Sequence, residues 1–438
     1  MSKISDLEGV SDEELMAELV RRRAPGKDIT DEEDAAEAAG EQLAWLRVEQ
    51  FFKERMAAQT DGRRPCPRCG KPCSVRRRDC RRTVRSHAGE HELVRRYHYC
   101  GKCGHGFFPL DAELGLPAEG ELTPKMERRV LDLGVNAPFE ESAERWGIHH
   151  TGTISENLVR QVVARAGAQL LTTSLSDSDA LGPHAQTAPD LVIGESDGSM
   201  VPTRGTDAWR EIKLCAIYRQ EHHGNVGSRG SISQARYVAE MGDMTKLRDA
   251  TTEALARERA WEAHRAAWLG DGAPCNWTLA EEVLPRAVQI LDWGHAIEAA
   301  VTCAKAVLGE QEIGLVAAWQ RTIEHLVGEG QVSEVLHQLE SCRFLARGNA
   351  RQALTDLSRY YRNNRERMHY QRYLADGLPI GSGAIESAHK HVLQQRMKLA
   401  GQHWDPARAR IMAKLRAAQS TVGPRQLYAA IRKLPAAA

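Results

Sequence analysis

Two Cys-x-x-Cys pairs constrain this chain more than any other feature: Cys66-Pro67-Arg68-Cys69 and Cys100-Gly101-Lys102-Cys103. Each is followed by a glycine, Gly70 or Gly104, which lets the backbone turn so that its amides face the thiolates. Four thiolates on two such knuckles suit a tetrahedral, structural Zn²⁺. The 30 residues between the pairs exceed the common spacing. The alternating stretch TVRSHAGEHELVRRYHYC absorbs them as a β-hairpin with a turn near Gly89. Two knuckles flanking a hairpin describe a zinc ribbon over residues 62–110. Cys73, Cys80, His98 and His105 lie in the same segment and compete as ligands. A redox role fits poorly, because paired knuckles in a basic, glycine-rich segment favour a metal. Ten cysteines in so long a chain do not point to a disulfide framework.

The formal net charge of zero hides an asymmetry. Residues 1–61 carry 16 acidic and 8 basic side chains, residues 62–104 carry 3 and 13, and residues 387–438 carry 1 and 10. Binding phosphates needs local positive surface rather than positive total charge, so two basic blocks keep nucleic acid among the partners. In the ribbon, Arg76, Arg77 and Arg78 are the natural DNA-backbone contacts. No apolar run approaches the ~18 residues of a membrane span. The opening MSKISDLEGVSDEE lacks the apolar core of a secretory signal, and the expectation is a cytoplasmic protein with no membrane partner.

Around the ribbon the chain divides by pattern. Residues 1–61 read as an N-terminal helical region, most simply a small bundle. In residues 120–170, Thr123-Pro124 is a cap followed by a first-turn proline. The stretch from Pro138 to Val163 then reads as helix, turn at Gly147 and a second helix from Thr151, the form of a helix-turn-helix. Thr151, Thr153, Ser155, Asn157 and Arg160 are its groove-facing candidates. Residues 172–189 are polar, with Pro and Gly, and read as a linker. From Asp190 to residue 296 strands alternate with helices, residues 297–375 are helical, and residues 376–438 enter a last helical segment with a basic tail.

Three acids carry the chemistry. Asp197 follows an apolar strand in Ser-Asp-Gly, Asp271 follows a second in Gly-Asp-Gly, and Glu386 enters a helix in GSGAIESAHK. A carboxylate at a strand end beside a small residue can reach an ion without steric blocking. Two-metal phosphodiester chemistry needs such oxygen ligands from separate elements. Asp-Gly alone is a common turn, so the combination and its order carry the weight.

The segments around Asp197 and Asp271, the Asp292-Trp293-Gly294-His295 element, and GSGAIESAHKHVLQQRMK resemble those of DDE transposases of the Kra-type bacterial insertion sequences, which are similar to the wider mutator and hAT group. The resemblance spans about residues 60–420. It implies an α/β fold: an RNase H-like catalytic core (190–296 and 376–438) with an all-helical insertion (297–375), preceded by the zinc ribbon and helix-turn-helix. It assigns the DDE places to Asp197, Asp271 and Glu386, holding two Mg²⁺ or Mn²⁺ ions. Asp292 and His295 match the Asp-x-x-His element, with Gly294 where an aromatic residue is expected. His295 then contacts the scissile phosphate region or supports the site. Asp292 is the alternative second ligand, with Asp271 structural; Asp271 is preferred. Arg396 and Lys398 would trail from Glu386 along a DNA path. The implied activity is strand cleavage at the ends of an insertion sequence and strand transfer into target DNA. The implied partners are double-stranded DNA, both element ends and target, and further copies of the chain as a homodimer or larger homo-oligomer. The implied location is cytoplasmic, on the nucleoid when active. A regulator derived from such an enzyme, a nuclease with the same core, and a zinc-dependent adaptor are the rival readings.

Overall fold

The computed structural model describes residues 10–21, 28–117, 120–150, 152–172, 179–221, 231–232 and 235–433. Thr151 and residues 173–178 of the expected linker lie outside them. The chain forms two compact units, Met1–Val162 and Val163–Ala438.

The first unit opens with α1 (Asp12–Arg21) and α2 (Ile29–Ala57), the latter capped by Asp28, whose carboxylate accepts from the Asp31 amide at 3.0 Å. Short strands β1 (Arg64–Pro65) and β2 (Pro72–Cys73) pair with each other. The long hairpin β3 (Val75–Ser86) and β4 (Gly89–Tyr99) turns between Ser86 and Gly89, and β5 (Gly106–Phe107) adds to β4. Helix α2 lies on this hairpin. Phe52 is buried with Val84 and Leu93, Trp45 stacks on His91 at 5.6 Å, and Trp45 Nε1 donates to the Glu90 carbonyl. The reason is that the hairpin's inward face is apolar and needs a cover. Helix α3 (Pro109–Glu113) brings in Asp111, which accepts from Arg82 and Arg95, so two of the segment's arginines are consumed inside the unit.

Three helices follow: α4 (Pro124–Asn136), α5 (Phe139–His149) and α6 (Glu156–Thr172). Here the structure corrects the expected turn. Gly147 is inside α5, which ends at His149, and α6 begins at Glu156, with Ser155 Oγ accepting from the Leu158 amide at 3.1 Å. A helix tolerates one glycine at a cost of about 1 kcal/mol, whereas serine with its hydroxyl over the first turn is a strong start signal. Thr153 and Ser155 therefore precede the helix, and Asn157 and Arg160 lie on it.

The second unit is built on one mixed sheet. Its strands are β6 (Leu191–Pro202), β7 (Trp209–Glu221), β8 (Ser231–Ile232), β9 (Arg236–Met241), β10 (Arg265–Gly270) and β11 (Val288–Leu291). The order is β9–β7–β6–β10–β11, with β8 on the far end of β7. Strands β6, β10 and β11 are parallel, and β7 is antiparallel to β6 and β9. The parallel strands read as unbroken apolar runs because both faces are covered: Leu191 to Ile193, Ala267 to Leu269 and Ile290 to Leu291 are all buried. Helix α7 (Met244–Arg257) joins β9 to β10, and α8 (Pro274–Val283) joins β10 to β11. A helical array follows: α9 (Trp293–Leu308), α10 (Ile313–Gly328), α11 (Val332–Leu345), α12 (Gly348–Asn364) and α13 (Tyr370–Ala375). The chain then returns through α14 (Gly383–Ala388), a π-helical turn over His389–Gln394, α15 (Gln395–Met397), α16 (Pro406–Val422) and α17 (Pro424–Lys433). No helix of the described residues is long and apolar enough to cross a membrane.

One close approach sets the register of the central strand pair. The Trp268 side chain of β10 is fully buried over Gly194 of β6, and its indole N–H donates to Ser196 Oγ at 3.0 Å. A Cβ on Gly194 would sit 2.3 Å from that ring. Gly194→Ala should lower stability by about 1–3 kcal/mol through this overlap. In urea unfolding the midpoint should fall with an unchanged slope; an unaltered midpoint would contradict the packing described.

Candidate functional site

The register brings acids together at one end of the parallel strands. Ser196 of β6 pairs with Gly270 of β10, and Gly270 pairs with Leu291 of β11. The next residues along the three strands are Asp197, Asp271 and Asp292. Neighbouring strands lie about 4.8 Å apart, so the three form a row at the carboxyl edge of the sheet, where crevices in α/β sheets form. Glu386 joins from α14. Asp197, His295 and Glu386 line one cleft of about 580 Å³, with Lys398 also on its wall. Asp271 is on the adjacent strand end outside that lining.

The acids are in different states. Asp197 Oδ1 accepts from the Gly198 amide at 2.6 Å, and Oδ2 lies 3.1 Å from His389 Nε2. Burial by itself would raise the Asp197 pKa, but His389 and the Gly198 amide hold it below the usual carboxylate value. Asp271 Oδ1 accepts from the Ala273 amide at 2.9 Å and from Asn276 Nδ2 at 2.8 Å, which ties it to the start of α8. Tyr360 donates its hydroxyl to the Asp271 carbonyl at 2.7 Å. Asp292 is buried with both oxygens engaged. Oδ1 accepts from the His295 amide at 2.7 Å and contacts His295 Nδ1 at 2.9 Å, and Oδ2 accepts from the Ser382 amide at 2.6 Å. The bond to Asp292 pushes the His295 pKa up to about 9, so the imidazole is a cation at neutral pH.

Two side chains at this site were not singled out from the sequence. Glu195, two residues before Asp197, is fully buried. It accepts from the Tyr218 hydroxyl and the Ile385 amide, each at 2.6 Å, and burial pushes its pKa up to about 7. The signal for it was a carboxylate inside the apolar run LVIGES, which must be paired if the strand is covered. The other is His389, one helical turn beyond Glu386; the i, i+3 spacing was the signal.

The expected DNA-contacting residues separate. Arg76, Arg77 and Arg78 are exposed on β3, the first two over the rings of Tyr99 and Tyr97, the third bonded to Asp61 at 3.1 Å. Arg160 pairs with Glu156 on α6. Lys398 is on the cleft wall. Arg396 is a correction: it is 1% exposed, with its guanidinium 5.0 Å from the Trp404 ring, so it packs inside the unit instead of following a DNA path. The cause is the π-helical turn and short α15 after Glu386, which break the single straight helix that the expected path required.

In the first unit, the Sγ atoms of Cys66, Cys69, Cys100 and Cys103 all lie within 4.8 Å of one another, with Cys66–Cys103 at 3.6 Å and Cys69–Cys100 at 3.5 Å. A zinc tetrahedron with bonds of about 2.3 Å has edges of about 3.8 Å, so the four thiols could hold the ion with little movement. Gly70 and Gly104 adopt φ of 71° and 72°, and their amides donate to the Cys66 and Cys100 carbonyls. The Cys103 amide lowers the Cys100 pKa to about 6, whereas Cys103 is pushed up, the His105 amide being outweighed by burial and the neighbouring thiols. Of the competing residues, Cys73 packs beside Cys66 and Cys100 and its Sγ donates to the Lys71 carbonyl, His98 Nδ1 contacts the Cys73 carbonyl, and His105 stacks on Phe107. Among the described residues, the four cysteines alone form a set of three or more metal-type ligands this closely gathered; the carboxylates are not drawn together to that degree.

The chain belongs to the uncharacterised protein family UPF0236, whose family model matches residues 70–427. That span takes in the second knuckle, the whole sheet and Glu386. No curated protein matches the chain. Among solved structures it is similar to the Drosophila P element transposase strand transfer complex, with a TM-score of 0.31 and 9% identity over 70% of this chain and 94% of that one.

Two outcomes follow. Elemental analysis of the purified chain should find about one zinc per molecule, and Cys69→Ser with Cys103→Ser should abolish it and lower the melting temperature; zinc retained by the double variant would exclude this ligand set. His295 has a folded pKa of about 9 against 6.5 unfolded. A raised pKa contributes stability in full below about 6.5 and loses it as pH rises through about 9. The melting-temperature gap between the native chain and His295→Ala should therefore be constant below pH 6.5 and shrink between 6.5 and 9, whereas a gap independent of pH would refute the Asp292–His295 ion pair.

Proposed function

We propose that this protein is a DDE transposase that cuts and joins DNA, with Asp197, Asp271 and Glu386 as ligands for two Mg²⁺ or Mn²⁺ ions. The carrying observation is the row of acids where the parallel pairing of β6 with β10 ends, Asp197 within β6 and Asp271 just past β10, faced by Glu386 from a helix 189 residues further along the chain than Asp197. The strand order β9–β7–β6–β10–β11, with only β7 reversed relative to the three parallel strands and to β9, is the arrangement an RNase H-like core requires. The helices α9–α13 between β11 and α14 correspond to the expected insertion. The resemblance of the Asp197, Asp271 and Glu386 segments to Kra-type transposases supports the same reading.

The roles of the side chains follow from their surroundings. Asp197, kept ionised against its burial, supplies a hard anionic oxygen at neutral pH. Asp271 has one oxygen fixed by α8, which orients the carboxylate. Asp292 serves as a brace, because its two oxygens bind His295 and Ser382, and this favours Asp271 as the second ligand. The His295 cation and Lys398 on the cleft wall attract a phosphate. When bound, divalent ions would activate the attacking water or 3′-hydroxyl and steady the leaving oxygen. The four-cysteine knuckles, with exposed Arg76, Arg77 and Arg78 on the adjoining hairpin, act as a zinc ribbon that tracks the DNA backbone. Joining two element ends to a target requires more than one copy of the chain.

The test is cleavage and joining of DNA carrying the ends of the surrounding element. Asp197→Asn, Asp271→Asn and Glu386→Gln should each reduce both reactions by more than about a thousandfold, the scale of several kcal/mol of lost charge stabilisation. DNA binding should persist, because the basic hairpin is untouched. Metal-dependent cutting without joined products would replace a transposase with a nuclease, and activity surviving all three substitutions would end the enzymatic reading.

A further inference from the structure

His389 is 94% buried, lines the cleft beside Asp197 and Glu386, and has no hydrogen-bond partner for either ring nitrogen. A buried imidazole left this way costs free energy unless a ligand completes it. Its Nε2 stands 3.1 Å from Asp197 Oδ2, within ion-pair distance. Two donor atoms bound at about 2.1 Å to the same ion, at right angles, stand about 3.0 Å apart. The pair therefore has the spacing of neighbouring corners of one coordination shell. His389 also belongs to a π-helical turn that begins one helical turn after Glu386, and such turns concentrate at functional positions.

We infer that His389 is a direct nitrogen ligand, together with Asp197, of a divalent ion in this cleft. This rests on the proposed carboxylate site and specifies its donor set. A site with an imidazole beside carboxylates favours Mn²⁺ over Mg²⁺, because Mg²⁺ is the stricter of the two in demanding oxygen donors.

The experiment uses the full, zinc-loaded chain without DNA, titrated with Mn²⁺ and followed by electron paramagnetic resonance, with pulsed measurements reading ¹⁴N coupling to the bound ion. The native chain should show histidine nitrogen coupling. His389→Ala should lose it and bind Mn²⁺ at least about tenfold more weakly, while His295→Ala keeps it. His389→Asp, which restores a donor without nitrogen, should recover Mn²⁺ binding but not the coupling, and serves if the alanine variant does not fold. Coupling that persists in His389→Ala, or disappears only in His295→Ala, overturns the assignment. Asp197→Asn separates the two ideas. If it abolishes Mn²⁺ binding while His389→Ala changes neither affinity nor coupling, the carboxylate site stands and the histidine ligand falls. If it leaves Mn²⁺ binding unchanged, the site itself falls.

Discussion

Two buried carboxylates hold the far end of the chain to the sheet. Glu195, in the middle of β6, accepts the Ile385 amide, and Asp292, at the end of β11, accepts the Ser382 amide. Both are almost wholly withdrawn from water. A buried carboxylate without partners would cost several kcal/mol, and a buried amide about 1–3, so each pair locks the other in place. The backbone between Ser382 and Ile385 leads directly into Glu386. The position of the last acid is thus set by its neighbours' amides, across 190 residues of sequence.

The same anchoring accounts for the division of labour among the acids. A carboxylate with both oxygens spent on protein donors, as in Asp292, braces the structure and raises the pKa of the histidine beside it. Asp197 keeps an oxygen turned toward His389 and the cleft. Equal residue types on neighbouring strands therefore differ in chemistry because their oxygens have different partners.

In the first unit the main constraint is the spacing of the two knuckles. The two knuckles bring four thiols within reach of one ion, and the hairpin between them is long enough to need a second support, which α2 provides through Phe52 and Trp45. Ten excess positive charges in residues 62–104 do not all face outward: Arg82 and Arg95 turn inward to Asp111, while Arg76 to Arg78 remain exposed.

Much of this was legible in the amino-acid sequence. Local rules suffice for the Cys-x-x-Cys-Gly knuckles, the hairpin with its turn beside Gly89, the apolar strands ending before Asp271 and Asp292, and the helical stretch after residue 297, since each depends on residues close in sequence; the strand expected to end at Asp197 instead runs on to Pro202, paired along its length with β7. Tertiary structure decided what those rules cannot reach. The burial of Arg396 and the turn of His389 toward Asp197 depend on a π-helical distortion that no periodicity announces. The partners of Glu195 and Asp292 come from a segment some 90 to 190 residues away, and only the closed sheet and returning helix bring those amides within hydrogen-bonding distance.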